Sequence, residues 1–249
     1  MYVNGGKVLQ GYSVGILKFA GKKFAMPPGD VGNPTSYPFP VLIREIPDVS
    51  TNPSPPVIMP DGTFSELVRN CIAAAQEMEA DGVRSIAMWC GFFSLIQPIL
   101  AKHVSVPILS SPLIMLPVIH QMMPPEKSIA VVVASEKLLT AEYFDAINAK
   151  RDERIVIVGM DDAPVFNSFC MGGPETGYEF DDFGAELCEL MDTQIAKHPE
   201  IGAIMLECTS LPPFAARIGA HTGLPVYDFI ACVEWMHRAV VPKTYDGYI

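Results

Sequence analysis

SIAMWC (85–90) and AIMLEC (203–208) are two versions of one pattern, a short apolar run that ends on a cysteine, Cys90 in the first and Cys208 in the second. The agreement continues downstream. Thirteen residues after each cysteine stands a histidine, His103 and His221. Seventeen after each stands a proline, Pro107 and Pro225, set between Val106 and Ile108 in one copy and Leu224 and Val226 in the other. Runs this short and apolar, bounded by turn residues, read as buried strands. Their repetition reads as an internal duplication with a thiol at the same place in each half. Two halves facing each other would set two thiols on opposite sides of one cleft, an arrangement suited to moving a proton between the faces of a carbon.

Outward from these strands, β-branched runs alternate with amphipathic helical stretches, the pattern of a parallel sheet with crossover helices. Strands are expected at 12–19, 41–46, 85–90 and 107–109 in the first half, and at 128–134, 154–159, 201–208 and 226–228 in the second. Helices are expected at 63–80, 92–103, 139–150, 180–197 and 212–220, with a last helix reaching about 239. In the first of them Phe64, Leu67, Val68, Cys71, Ile72, Ala75 and Met78 recur at spacings of three and four, and Asp81-Gly82 ends it. The expected fold is α/β: two pseudo-symmetric lobes, each a mostly parallel sheet flanked by helices, with the active site in the cleft between them. The first lobe would comprise 1–115 plus 225–249, and the second 116–224. Irregular segments at 24–40 and 161–178 each follow a strand, where α/β proteins carry their binding loops, and 161–178 is the candidate lid. The proline-rich stretch 49–60 reads as a surface connection.

With 249 residues, 49% apolar and 18% charged, the chain has the composition of a globular core, and its net charge of −11 disfavours nucleic acid as a partner. An anionic substrate would need local capture, which backbone N–H groups at helix starts supply. The apolar stretch 104–119 is short for a membrane span and carries three prolines. The N-terminus lacks the pattern of a secretion signal. A soluble, cytoplasmic protein is expected. The six cysteines show no metal-site spacing, so free thiols and no metal are expected.

Cys90 and Cys208 are the candidate catalytic residues. Gly91 permits close backbone approach. A helix start after Cys90 would lower its thiol from about 8.5 toward neutrality. Against this stands the reading of any lone cysteine as a small core residue, which the matched pair weakens. Thr209 and Ser210 add hydroxyl and N–H groups beside Cys208. Cys71, Cys188 and Cys232 fall on apolar helix faces and read as core. Cys170 lies in the 161–178 segment with nothing to pair with it. His103 and His221 read as structural residues at helix ends. Asn33, in the PPGDVGNP turn, and Ser135, ending the strand that opens the second half, are candidates for the same cleft, each weighed against a plain turn role.

With both cysteine segments in view, the chain resembles the aspartate/glutamate racemase superfamily, which is independent of pyridoxal phosphate and includes hydantoin racemases and arylmalonate decarboxylases. The marks are WCGFF (89–93), LECTSLPPFA (206–215) and GLPVYDFI (223–230). The resemblance implies a dimer that needs no cofactor and takes a small carboxylate as its substrate. Cys90 and Cys208 would be the acid/base pair, with Gly91, Phe92, Thr209 and Ser210 holding the carboxylate. It implies a racemase or epimerase, with aspartate or glutamate as the default substrate. Hydantoin racemisation is one alternative, and a decarboxylase or isomerase using one thiol is another. A non-catalytic small-acid binding protein ranks last. Where many racemases carry Asn-Thr after the first cysteine, this chain has Gly91-Phe92-Phe93, which points to a partly apolar pocket or simply to a helix packed on the sheet.

Overall fold

A computed structural model describes residues 6–7, 9–47, 57–59, 61–170 and 172–248. Two parallel sheets of four strands form its centre. The first contains β1 (Val14–Phe19), β2 (Val41–Ile46), β3 (Ser85–Met88) and β4 (Ile108–Leu109) in the order β2-β1-β3-β4. The second contains β5 (Ser128–Val133), β6 (Ile155–Gly159), β7 (Ile201–Leu206) and β8 (Val226–Tyr227) in the order β6-β5-β7-β8. The orders are superimposable, so the duplication seen in the sequence is a duplication of topology. All six residues of β5 are buried, which is why this strand is a continuous apolar run and not an alternating one.

Helices cover both sheets. They are α1 (Glu66–Asp81), α2 (Gln97–His103), α3 (Leu116–Met122), α4 (Ala141–Asp145), α5 (Pro164–Phe169), α6 (Phe180–Lys197), α7 (Ala215–Thr222) and α8 (Phe229–Val240). Helix α1 begins three residues later than its apolar spacing suggests. Phe64 is held in an antiparallel bridge to Ile58, and Ser65 caps the helix by accepting from the Val68 N–H. Gly82 ends it at φ +104°, a conformation open to glycine at little cost.

Three expectations need correction. The helix expected over 139–150 ends at Asp145, and Asn148 adopts φ +54°, a left-handed conformation that breaks the helical path. Segments read as connections contain α3 and α5, each with a proline in its first turn, where its missing N–H costs nothing. The chain does not return to the first lobe at 225. Val226–Tyr227 pairs with β7 in the second sheet. The return falls at Asp228, whose side chain caps α8 by accepting from the Ala231 N–H. Helix α8 then buries Phe229, Val233 and Met236 against Val14, Ile16 and Ala87 of the first sheet. Most of the 49–60 connection lies outside the described residues.

Each strand order reverses direction between its two central strands, β1/β3 and β5/β7. Ligands of open parallel sheets bind beyond the carboxyl ends of the strands at such a switch point. Cys90 follows β3 and Cys208 follows β7.

Candidate active site

The two cysteine turns are built alike. Both strands end before the cysteine, and the next N–H continues the ladder: Trp89 N–H donates to Leu17 O and Glu207 N–H to Val132 O, at 2.8 and 2.9 Å. Cys90 is extended and opens a 3-10 helix, Gly91–Ile96, instead of the expected α-helix. Cys208 leads through Leu211 into a second 3-10 turn, Pro212–Phe214. Each thiol sulfur accepts a hydrogen bond from the N–H two residues on, Phe92 for Cys90 and Ser210 for Cys208.

A cavity of about 480 Å³ lies between the halves and is lined by Cys90, Gly91, Phe92, Cys208, Thr209 and Ser210. The size suits a small ligand. Two sequence candidates are elsewhere. Asn33 accepts from the Thr35 N–H and donates to Met26 O, at 2.9 and 2.8 Å, so its side chain shapes its own loop. Ser135 donates to Asp161 Oδ1 at 2.6 Å, which ties the end of β5 to the end of β6. Neither lines the cavity, because each has a local partner that fixes it.

Four residues not singled out from the sequence shape the site. Asp30, from the PPGDVGNP loop, is fully buried and accepts from Trp89 Nε1, the Gly32 N–H and Ser210 Oγ, at 3.0, 2.7 and 3.2 Å. It thereby joins the residue before one cysteine to the second residue after the other. Gly29 packs so closely on Pro213 that a Cβ would sit 2.7 Å from its Cα, so this loop is pressed onto the second half. Phe24 stacks on Trp89 with ring centroids 5.4 Å apart and meets Phe169 at 6.0 Å. The Ala25 N–H donates to Thr176 O at 2.7 Å, so the segment after α5 lies over the cavity. The fourth residue is Glu207, whose carboxyl lies against Gly91 on the cavity wall. An acidic residue at the end of an apolar strand was the available signal for Glu207, as was an aspartate inside the first loop for Asp30.

The electrostatics run against the expectation of a Cys90 thiol lowered toward neutrality, although both thiols are only partly buried. Burial pushes Cys90 up to about 12, the Glu207 charge adds to the rise, and the Phe92 N–H and the Lys22 ammonium oppose it. Burial raises Cys208 well above the ordinary range, with Cys170 contributing. Two short 3-10 turns give too little dipole to offset the desolvation of a thiolate. Burial also lifts Asp30 to about 6 and Glu207 to about 8. Cys170 lines the same cavity, so three thiols share it. His103 and His221 are engaged at helix ends, with Ile99 O and Asp192 respectively. Among the described residues no group of His, Cys, Asp and Glu is arranged to hold a metal ion, and no helix is long and apolar enough to cross a membrane.

No family profile matches the chain. A dimethylsulfoniopropionate lyase of Durusdinium sp. clade D is 33% identical over 228 residues, covering 88% of this chain and 72% of the relative. Dimethylsulfoniopropionate lyase 3 of Emiliania huxleyi is 30% identical over 247 residues, covering 94% of this chain and 61% of the relative. The chain therefore spans between three fifths and three quarters of these relatives. Among solved structures, an allantoin racemase from Klebsiella pneumoniae aligns with a TM-score of 0.58 at 11% identity, over 92% of this chain and 86% of that one. An arylmalonate decarboxylase aligns at 0.53 and 12%, over 93% of each chain. The aspartate racemase of Picrophilus torridus aligns at 0.53 and 15%, also over 93% of each. The fold is that of the aspartate/glutamate racemase superfamily.

Proposed function

The chain belongs to the dimethylsulfoniopropionate lyase family, and from that premise we propose that it cleaves a β-sulfonio carboxylate by elimination. The relatives favour the one-thiol alternative over an amino-acid racemase. The chemistry explains the difference. A racemase must return a proton to the opposite face of the carbon. Elimination from dimethylsulfoniopropionate removes the proton beside the carboxylate, forms a carbon–carbon double bond and expels a neutral thioether. The products are acrylate and dimethyl sulfide. The leaving group needs no proton, so one base suffices.

Cys90 is our assignment for that base. Lys22, on the cavity wall, favours its ionisation. The sulfonium charge of the substrate, brought against a buried thiol, favours the thiolate further. Cys208 faces the same carbon from the other half. Lys22, Lys23 and Thr209, all on the cavity wall, are the polar contacts for the carboxylate and for the negative charge that develops on it in the transition state. Phe19, Phe24 and Trp89 give the cavity an aromatic side, and ring faces attract sulfonium as they attract other soft cations. The observation that carries the reading is the cavity with a thiol on each side, in a chain one third identical to a dimethylsulfoniopropionate lyase.

The test incubates purified protein with dimethylsulfoniopropionate, follows dimethyl sulfide by gas chromatography and follows acrylate by proton NMR in deuterated water. Release of both in equal amounts is expected. Replacing Cys90 by serine should lower the rate by about 10²–10⁴-fold, the range for removing a general base. No release, together with loss of the carbon-bound proton of aspartate, glutamate or a hydantoin, would return the protein to the racemase reading.

A further inference from the structure

Glu207 holds in the second half the place that Trp89 holds in the first, directly before the cysteine and hydrogen-bonded to the neighbouring strand. Trp89 uses its side-chain N–H on Asp30. Glu207 has no counterpart to that bond. It is fully buried, and among the described residues neither carboxyl oxygen has a hydrogen-bond partner. Buried carboxyls are normally paired, because leaving one without a partner is costly. The group lies against Gly91, the residue after Cys90, on the wall of the cavity that holds both thiols. Its charge opposes ionisation of each of them. Other charged and titratable groups face the same thiols. Cys170, from the segment after α5, opposes their ionisation, while Lys22, from the loop after β1, favours that of Cys90. Asp30 sits behind Ser210.

We infer that Glu207 is the proton acceptor for the Cys90 thiol inside the cavity. Once side-chain rotation brings the two groups into hydrogen-bond reach, the Glu207 carboxylate takes the thiol proton, leaving a carboxylic acid and a thiolate. The thiolate takes the proton from the substrate carbon beside the carboxylate. That C–H electron pair becomes the double bond, and the carbon–sulfur pair leaves with dimethyl sulfide. The enzyme is then a thiol and a carboxylic acid, and it returns to its starting state by losing one proton to solvent. The elimination half of this sequence rests on the proposed function, whereas the exchange between Glu207 and Cys90 does not. The pair ionises as one acid. The thiolate population climbs with pH until Glu207 is ionised, near its raised value of about 8, and then levels.

The experiment measures the rate at which iodoacetamide alkylates Cys90, read by mass spectrometry across pH 6–10, in the wild type and in Glu207→Gln, beside dimethyl sulfide release. In the wild type the alkylation rate should bend and level near pH 8. In Glu207→Gln it should keep rising about tenfold per pH unit, and turnover at neutral pH should fall at least tenfold. The same bend in both proteins overturns the inference. If Glu207→Gln does not fold, infrared spectra of the wild type decide. A carboxylic C=O band present at pH 7 and lost on passing pH 8 supports the assignment, and its absence at pH 7 overturns it. Differing alkylation profiles with no dimethyl sulfide from the wild type would sink the lyase reading and leave the proton acceptor standing. Release of dimethyl sulfide with coincident profiles would do the reverse.

Discussion

The Glu207 carboxyl occupies the space that a side chain on Gly91 would need: a Cβ there would overlap the carboxyl and press on the Glu207 carbonyl oxygen. The backbone after Cys90 can approach the second half this closely only without a side chain. Gly91→Ala should cost about 1–3 kcal/mol, the usual range for overpacking a buried site, and shift the Cys90 thiol enough to lower turnover at least tenfold. Thermal unfolding and dimethyl sulfide release measure the two effects. Combining it with Glu207→Ala should restore part of the stability, since the pair then no longer competes for one space. A Gly91→Ala protein with unchanged stability would contradict this packing.

Glu207 should also set how stability varies with pH. Its carboxyl is raised from an ordinary 4.5 to about 8 in the folded chain. Between those values the folded state holds a proton that the unfolded state has lost. Stability therefore falls as pH rises through this window, and it is not affected by Glu207 below about 4.5. The full penalty, on the order of 5 kcal/mol, is reached above pH 8. Urea midpoints at pH 5 and pH 8.5 should differ more in the wild type than in Glu207→Gln. The residual difference in the variant includes Asp30, raised from 3.8 to about 6, which acts in the same direction over its own lower window. Equal slopes in the two proteins would remove Glu207 as the source.

The sequence exposes the frame of this site more readily than its wiring. Strands buried on both faces are short and apolar, so 85–90 and 203–208 stand out, and the cysteine at the end of each marks the switch point of its sheet. Asp30 escapes such reading because its partners are 59 and 180 residues away, at Trp89 and Ser210, and no local pattern encodes a bond across two lobes. Glu207 is visible as an odd acid in an apolar run, but its lack of a partner is a property of three dimensions. Asn33 is a candidate for the cleft from its turn and Ser135 from its place at a strand end, but local hydrogen bonds to Thr35 and Asp161 claim them instead. The Cys90 thiol is expected near neutrality from its place at a helix start. Its partly buried position and the nearby Glu207 charge outweigh one short 3-10 turn.

Asp30 should act as the brace between the halves. Asp30→Ala leaves three buried donors, on Trp89, Gly32 and Ser210, without their acceptor. At about 1–3 kcal/mol for each unsatisfied group, the loss of stability should exceed about 3 kcal/mol. Asp30→Asn keeps one acceptor oxygen for Trp89 and Gly32 and reverses the Ser210 bond, its amide N–H now donating to the hydroxyl, so it should fold. Its turnover should fall, because Ser210 carries the N–H that bonds to the Cys208 sulfur. Urea unfolding of both variants beside kcat tests the order. An alanine variant as stable as the asparagine variant would mean that the three bonds do not brace the fold.

The aromatic side of the cavity should distinguish a charged substrate from its neutral shape. Phe24 lines the cavity and is held by its stack on Trp89. Phe24→Leu keeps an apolar side chain but removes the ring face. If the sulfonium rests on that face, the variant should weaken dimethylsulfoniopropionate binding about 2–5-fold, the equivalent of a modest cation–π contact of about 0.5–1 kcal/mol. It should leave 4-methylpentanoate, in which carbon replaces the charged sulfur, bound as before. The comparison of KM for the substrate with the inhibition constant for its neutral analogue isolates the charge from the apolar contact. Equal weakening of both would reduce the ring to plain packing and leave the sulfonium to be held by the acidic field of the chain.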